Sequence, residues 1–354
     1  MIKDEYSPFK IVHHMDKLQE LKTDVQPDPI QVHLIPTNKC NQSCTFCAYR
    51  MVESASSQNF NEGDEMSTGK LLEILDSCHK SGVKAIQYTG GGEPLLHPGI
   101  KKAFRKTISY GMEMALVSNG MRLDEELIDI LSNVAWVRIS VDSATGGTYS
   151  ILRRTKAAIF EKVIKYTEKL AKKKRGTVLG IGFVVSRENY REIYDACKLF
   201  KDLGVDNFRI SATFTPLGVK YFDGILEEIQ DIAKKAKSEL EDDNFTVFNL
   251  FNDRIGDLFY GVQNYDFCPM KELVPFIGAD LKVYTCCILA YNDLGYIGSI
   301  ENQTLEELWH SQEKQEFYKK HSPKVYCQLP CMFEKKNDFI NYCINKDAKH
   351  INFI

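Results

Sequence analysis

The sequence predicts an α/β protein, a partial (β/α)6 barrel followed by a C-terminal α+β region. Three observations predict it. From Ile30 onward, short β-branched or aromatic runs alternate with longer amphipathic stretches, the pattern that builds a parallel sheet with helices packed outside. Six such units are visible, two fewer than a closed eight-fold barrel needs. The alternation stops near Pro216, and the last quarter of the chain is irregular and rich in cysteine.

Residues 1–29 read as a short helix (16–22) and a Pro-containing linker, too few for a separate domain. The core spans 30–215. Its expected strands are 31–36, 85–89, 114–118, 137–141, 178–185 and 207–211, and its expected helices 68–80, 99–110, 124–133, 159–174 and 190–203. In the first helix Leu71, Leu72, Ile74, Leu75 and Cys78 keep the three-to-four spacing of one buried face. Gly82, Gly111 and Gly204 each follow a helical pattern, where a left-handed residue ends the helix. Residues 216–262 read as a connecting helical segment around a charged helix at 224–240. The tail, 263–354, holds a β-hairpin signal about Ala279 and Asp280.

The composition is that of a soluble globular chain, with 44% hydrophobic and 26% charged residues. No apolar run approaches the roughly 20 residues that span a bilayer, so no membrane segment is expected. The charged start lacks the apolar centre of a secretory signal. A net charge of −3 argues against an extended nucleic-acid surface, and the basic run 172–175 reads as a solvated helix end. A cytoplasmic location follows as the expectation. There, eleven cysteines should be reduced thiols, and clusters of them point to metal rather than disulfides. Cys78 and Cys197 stand apart from the clusters beside apolar neighbours and read as core filling.

Cys40, Cys44 and Cys47 follow strand one in a C-x3-C-x2-C pattern. Thiolates are soft ligands suited to zinc or iron–sulfur clusters. A zinc site with His33 as a fourth ligand is the simpler alternative, although structural zinc usually pairs cysteines as two C-x2-C units. Three thiolates on a four-iron cube would leave one iron open to a ligand.

With Phe46 just before the third cysteine, this loop resembles the signature of the radical S-adenosylmethionine superfamily. The resemblance implies a [4Fe–4S] cluster whose open iron chelates S-adenosylmethionine. Reductive cleavage then gives methionine and a 5′-deoxyadenosyl radical that abstracts hydrogen. Companion motifs follow in order through about residue 215. The glycine run after strand two resembles the family's GGE segment, which implies cofactor binding by Gly91, Gly92 and Glu93. Ser140 and Asp142, ending strand four, resemble the ribose- and methionine-contacting pair. Ser118, ending strand three, and Arg154, resembling a basic residue that meets the cofactor carboxylate, complete the set; ordinary turn or surface roles stay open for these two. Gly180–Phe183 could flank adenine.

The tail resembles the SPASM auxiliary-cluster domain or its shorter twitch form, with Ile297, Gly298 and Ile300 followed by Leu308 and Trp309. Two departures stand out. Leu281 occupies the place of the usual glycine five positions before Cys286, and the later cysteine run has shrunk to Cys327 and Cys331. The resemblance thus implies one auxiliary [4Fe–4S] cluster on Cys268, Cys286, Cys327 and Cys331, for electron transfer or support. A structural zinc remains the alternative. Cys287 and Cys343 are substitute ligands or free thiols, and Cys343 is a candidate hydrogen-atom donor of an epimerase. The expected substrate is a small polar, carbohydrate-like metabolite that is oxidised or epimerised, with a peptide as the alternative, and the electron donor a flavodoxin or ferredoxin-type protein. A non-catalytic iron–sulfur carrier or redox sensor would have no need of Glu93, Ser140 and Asp142.

Overall fold

The computed structural model describes residues 7–23, 25–51, 54–258, 263–327, 331–346 and 349. Strands β1 (Gln31–Leu34), β2 (Ala85–Tyr88), β3 (Glu113–Ser118), β4 (Trp136–Ser140), β5 (Val178–Val185) and β6 (Asn207–Ala212) stand where the sequence places them. They pair in parallel in that order, with Leu34 opposite Tyr88 and Ser140 opposite Gly182. Helices α1 (Met15–Lys22), α2 (Thr68–Lys80), α3 (Ile100–Ser109), α4 (Glu125–Leu131), α5 (Gly146–Arg153), α6 (Ala158–Lys173) and α7 (Ile193–Asp202) follow the chain. Gly82, Gly111 and Gly204 have φ of +73°, +68° and +84°, as helix-ending glycines should.

Two regions go beyond the expectation. Residues 216–262 do not merely connect. Helix α8 (Leu226–Leu240) leads into β7 (Thr246–Asn249), a seventh parallel strand beside β6, and then α9 (Leu250–Arg254). The buried positions of β7 are Val247 and Asn249, and the polar Asn249 breaks the apolar alternation that marks a strand. Helix α5 also lies outside the expected set, because Gly146 and Gly147 open it and glycine is a poor helix former. Its N-terminus is held by Thr145, whose hydroxyl accepts the Thr148 N–H at 3.2 Å.

The tail contributes α10 (Pro269–Leu273), β8 (Phe276–Ile277), β9 (Lys282–Tyr284), β10 (Tyr296–Ser299), α11 (Leu305–Trp309), α12 (Gln312–Lys320), α13 (Pro323–Tyr326) and α14 (Glu334–Ile344). The expected hairpin is β8–β9, antiparallel, with Phe276 opposite Tyr284. It does not stand alone. Strand β8 pairs in parallel with β1, so one sheet runs β10-β9-β8-β1-β2-β3-β4-β5-β6-β7. Leu281 has φ +61° at the hairpin turn, the left-handed conformation that a glycine would adopt without cost.

The core lies between the sheet and α2, α3, α4, α6, α7 and α8. Every second strand residue (Val32, Leu34, Ile86, Tyr88, Val137, Ile139) is buried there. Cys78 and Cys197 are fully buried in it, their thiols pushed up to about 12 by burial. The basic run forms ion pairs with neighbouring helices and loops, Lys173 with Asp129 and Lys174 with Asp206.

Candidate radical S-adenosylmethionine site and tail cysteine cluster

Cys40, Cys44 and Cys47 lie in the loop that leaves β1, at the C-terminal edge of the parallel strands. Four other loops fix this loop. From the β2 side, the Gly92 and Glu93 N–H groups donate to the Thr37 and Lys39 carbonyls at 3.2 and 2.9 Å. That approach requires glycine: a Cβ on Gly92 would stand 2.2 Å from the Lys39 carbonyl oxygen. From the β3 side, the Asn119 amide donates to Asn41 at 2.8 Å. From α5, the Leu152 and Arg153 carbonyls accept the Thr45 and Ser43 N–H groups, while Gln42 donates to the Tyr149 hydroxyl at 2.7 Å. From the tail, the Tyr291 hydroxyl donates to Asn38 Oδ1 at 2.6 Å.

Glu93 is buried, and its carboxylate accepts from the Leu95 N–H at 3.0 Å, the Ser118 hydroxyl at 2.8 Å and the Asn119 N–H at 2.7 Å. Burial pushes its pKa up, and those donors partly restore the charged form. A carboxylate offers about four acceptor sites, so room for one further donor remains. Ser118 is thereby a clamp on Glu93 as well as a strand-end hydroxyl. Ser140 ends β4 half-buried beside Gly182.

Asp142 is buried, with φ +60°, and pairs with the Arg153 guanidinium while accepting the Val184 N–H at 2.6 Å. Arg153 also donates to Cys44 Sγ at 3.4 Å and Gln42 Oε1 at 3.2 Å, and its guanidinium faces the Phe46 ring at 5.6 Å. The sequence pointed to the adjacent Arg154. That residue is the left-handed cap of α5, at φ +49°, and its side chain is exposed. The Thr145 side chain caps the start of α5, and Arg153 is the last residue of that helix.

The described cysteines are free thiols. Burial pushes Cys40 up to about 11 and raises Cys47 as well. Metal binding would have to displace those protons. In the tail, burial pushes up Cys268, to about 12, and Cys286, to about 11, with the approach of neighbouring cysteines adding to it. Cys327 feels Cys286, Cys268 and Cys331 together. Asn337 on α14 links two of the set. It accepts from Cys268 Sγ at 3.5 Å and donates to the Tyr265 hydroxyl, which in turn donates to Cys331 Sγ at 3.5 Å.

Cys287 packs with Tyr49 and Phe60 in an aromatic cluster, while Cys286 and Cys331 also bear on its thiol. Cys343 lies on α14 in the apolar cluster with Leu18 and Leu21 of α1, and the charge that bears on its thiol is Lys22. The structure therefore joins it to the N-terminal helix. His33 faces Phe276 across β1–β8, its imidazole pushed down to about 4 by burial.

Among the described residues, no three His, Cys, Asp or Glu side chains converge closely enough to hold one metal ion. A single zinc would need its sulfurs at about 2.3 Å, whereas a cube takes each thiolate at a different iron. The donor set, thiols backed by the glycine cradle on one loop and grouped thiols in the tail, fits two clusters.

Residues 34–200 match the family model of the Radical SAM superfamily, and residues 268–332 match that of the SPASM iron–sulfur cluster-binding domain. The chain therefore carries a Radical SAM superfamily domain and a C-terminal SPASM domain, and these domains imply a [4Fe–4S] cluster, S-adenosylmethionine and an auxiliary cluster. It is 29% identical over 188 residues to a tungsten-containing aldehyde ferredoxin oxidoreductase cofactor-modifying protein of Pyrococcus furiosus, covering 51% of this chain and 50% of that protein. It is 26% identical over 275 residues to the sporulation killing factor maturation protein SkfB of Bacillus subtilis, covering 76% and 62%. The chain spans about half the length of most of these curated relatives. Its fold is similar to that of Streptococcus suis SuiB bound to precursor peptide SuiA, with a TM-score of 0.64 at 14% identity over 97% of this chain and 79% of that one. It is also similar to anSMEcpe with bound AdoMet, with a TM-score of 0.60 at 18% identity over 90% and 92%. Among the described residues no helix is long and apolar enough to cross a membrane.

Proposed function

We propose that this chain is a radical S-adenosylmethionine enzyme that abstracts hydrogen from its substrate. Cys40, Cys44 and Cys47 would hold a [4Fe–4S] cluster, and with S-adenosylmethionine it would supply a 5′-deoxyadenosyl radical. The observation that carries the reading is the clamp of Gly92 and Glu93 onto Thr37 and Lys39, one turn before Cys40. It sets a buried carboxylate beside the thiols, an arrangement that an electron carrier has no use for. Gly91, Gly92, Glu93, Ser140 and Asp142 are the proposed cofactor residues, with Arg153 holding Asp142 and the cysteine loop together. Cys268, Cys286, Cys327 and Cys331 are the proposed auxiliary ligands, and a flavodoxin or ferredoxin-type protein is the proposed electron donor.

The test is release of 5′-deoxyadenosine by anaerobically reconstituted protein with a strong reductant. Bound iron without any such release, and without S-adenosylmethionine binding, would instead support a carrier or redox sensor.

A peptide substrate is favoured over a small polar metabolite by one observation. The SkfB match runs through 76% of this chain, whereas the match to the GTP 3′,8-cyclase of Chlorobaculum tepidum covers 39%. Deuterated cell extract, fractionated by size, separates the two. Deuterium entering 5′-deoxyadenosine only with the peptide fraction supports the first reading, and only with the small-molecule fraction the second, including oxidation or epimerisation.

A further inference from the structure

We infer that Tyr291, in the tail, is a positioning residue for the cofactor site at the front of the barrel. The inference rests on the proposed function and assigns a role to a residue outside both cysteine sets. Tyr291 is fully buried, and its φ of +54° is a left-handed conformation that a bulky side chain adopts only when its surroundings hold it there. Its hydroxyl is held at both ends of its bonding capacity. It donates to Asn38 Oδ1 at 2.6 Å and accepts the Ala279 N–H at 3.1 Å. Its carbonyl accepts the Asn59 N–H at 2.8 Å, and its ring meets that of Phe60 edge-on at 5.1 Å.

Both partners press on the same glycine. A Cβ on Gly91 would stand 2.6 Å from Asn38 Oδ1 and 2.5 Å from Phe60 Cε2. Tyr291 thus backs the two groups that wall in the Gly91 backbone, and Asn38 is two residues before Cys40. Tyr291 itself sits on the β9–β10 connection that carries Cys286 and Cys287. The tail therefore reaches the glycine turn by one hydrogen bond and one ring contact, and anything that shifts Tyr291 loosens the turn proposed to hold the cofactor.

Tyr291→Phe keeps the ring and deletes only the hydroxyl. In anaerobically reconstituted full-length protein it should raise the dissociation constant for S-adenosylmethionine about fivefold, the worth of one buried hydrogen bond. It should also weaken the cofactor-induced change in the EPR spectrum of the reduced front cluster, with iron content unchanged. Tyr284→Phe is the control, because its hydroxyl bond goes to Asp280, 2.6 Å away within the tail. It should leave affinity unchanged. Asn38→Ala should lower affinity by an amount that Tyr291→Phe does not deepen. Unchanged affinity in Tyr291→Phe, an equal loss in Tyr284→Phe, or additive losses in the double variant would each overturn the inference. Failure of the parent protein to bind S-adenosylmethionine would overturn the functional reading itself.

Discussion

Cys40, Cys44 and Cys47 share one short loop that the barrel braces from β2, β3 and α5. Cys268, Cys286 and the pair Cys327 and Cys331 come from three separate stretches of chain, and Cys268 and Cys331 are linked through Asn337 and Tyr265. The front loop keeps its shape through bonds that need no metal. The tail group gathers distant segments around a half-buried set of thiols, so more of its order depends on what those thiols hold. A brace of the first kind makes a binding site, and a knot of the second kind makes a fold.

The largest effect should come from the front. Replacing Cys40, Cys44 and Cys47 together by Ala should abolish 5′-deoxyadenosine formation. It should also cut iron from about eight to about four per chain, the count for one remaining [4Fe–4S] cluster, with the thermal transition of the apoprotein core preserved. Residual cleavage would break the assignment, and loss of all iron would break the contrast with the tail. Next, Cys286→Ala should bring iron towards four and lower the melting temperature, because the gathered segments lose their common centre. Cys287→Ala, at the aromatic side, should keep iron near eight. If Cys287→Ala loses the tail iron instead, the two neighbours exchange roles. Cys343→Ala should leave both iron and cleavage intact, as expected for a thiol packed against α1.

Glu93→Ala tests the bracing. It strips the acceptor from the Leu95 and Asn119 N–H groups and from Ser118, and it should weaken S-adenosylmethionine binding about 100-fold, the scale of a broken buried pair. Iron content should hold, and an unchanged dissociation constant would reduce the glycine run to a turn.

The smallest effect is a slope in the tail. Lys314 and Glu272 are buried 3.2 Å apart. Burial pushes Lys314 down to about 8 and Glu272 up, so desolvation outweighs their attraction. Between about pH 8 and 10.5 the unfolded chain holds a proton on Lys314 that the folded chain has lost, so this group makes stability rise with pH there. Denaturant melts of the parent, compared with the Lys314→Met, Glu272→Leu double variant, should show that rise at no more than about 1.4 kcal/mol per pH unit. A fall over that window would show that the pair stays charged.

The sequence showed local patterns and missed encounters. The six strands, the helix-ending glycines and the cysteine loop are local, and they stand where periodicity and spacing put them. Helix α5 was hidden by Gly146 and Gly147, and with it the buried Arg153 at its last turn, which pairs with Asp142. The packing of Cys343 on α1 joins the two ends of the chain, and no spacing rule reports that. Leu281 shows the reverse case. A missing glycine looked like a departure from the pattern, yet the backbone keeps the left-handed turn and places Leu there.

The pairing of β8 with β1 gives the tail a further duty. The N–H groups of Ile30, His33 and Ile35 donate to the carbonyls of Leu273, Pro275 and Ile277. Cutting the chain after residue 262 would strip those acceptors and leave β1 as a bare, sticky margin of the sheet, a template for pairing with other chains. A core expressed alone should therefore self-associate, whatever metal it carries, because the tail is also the hem of the barrel.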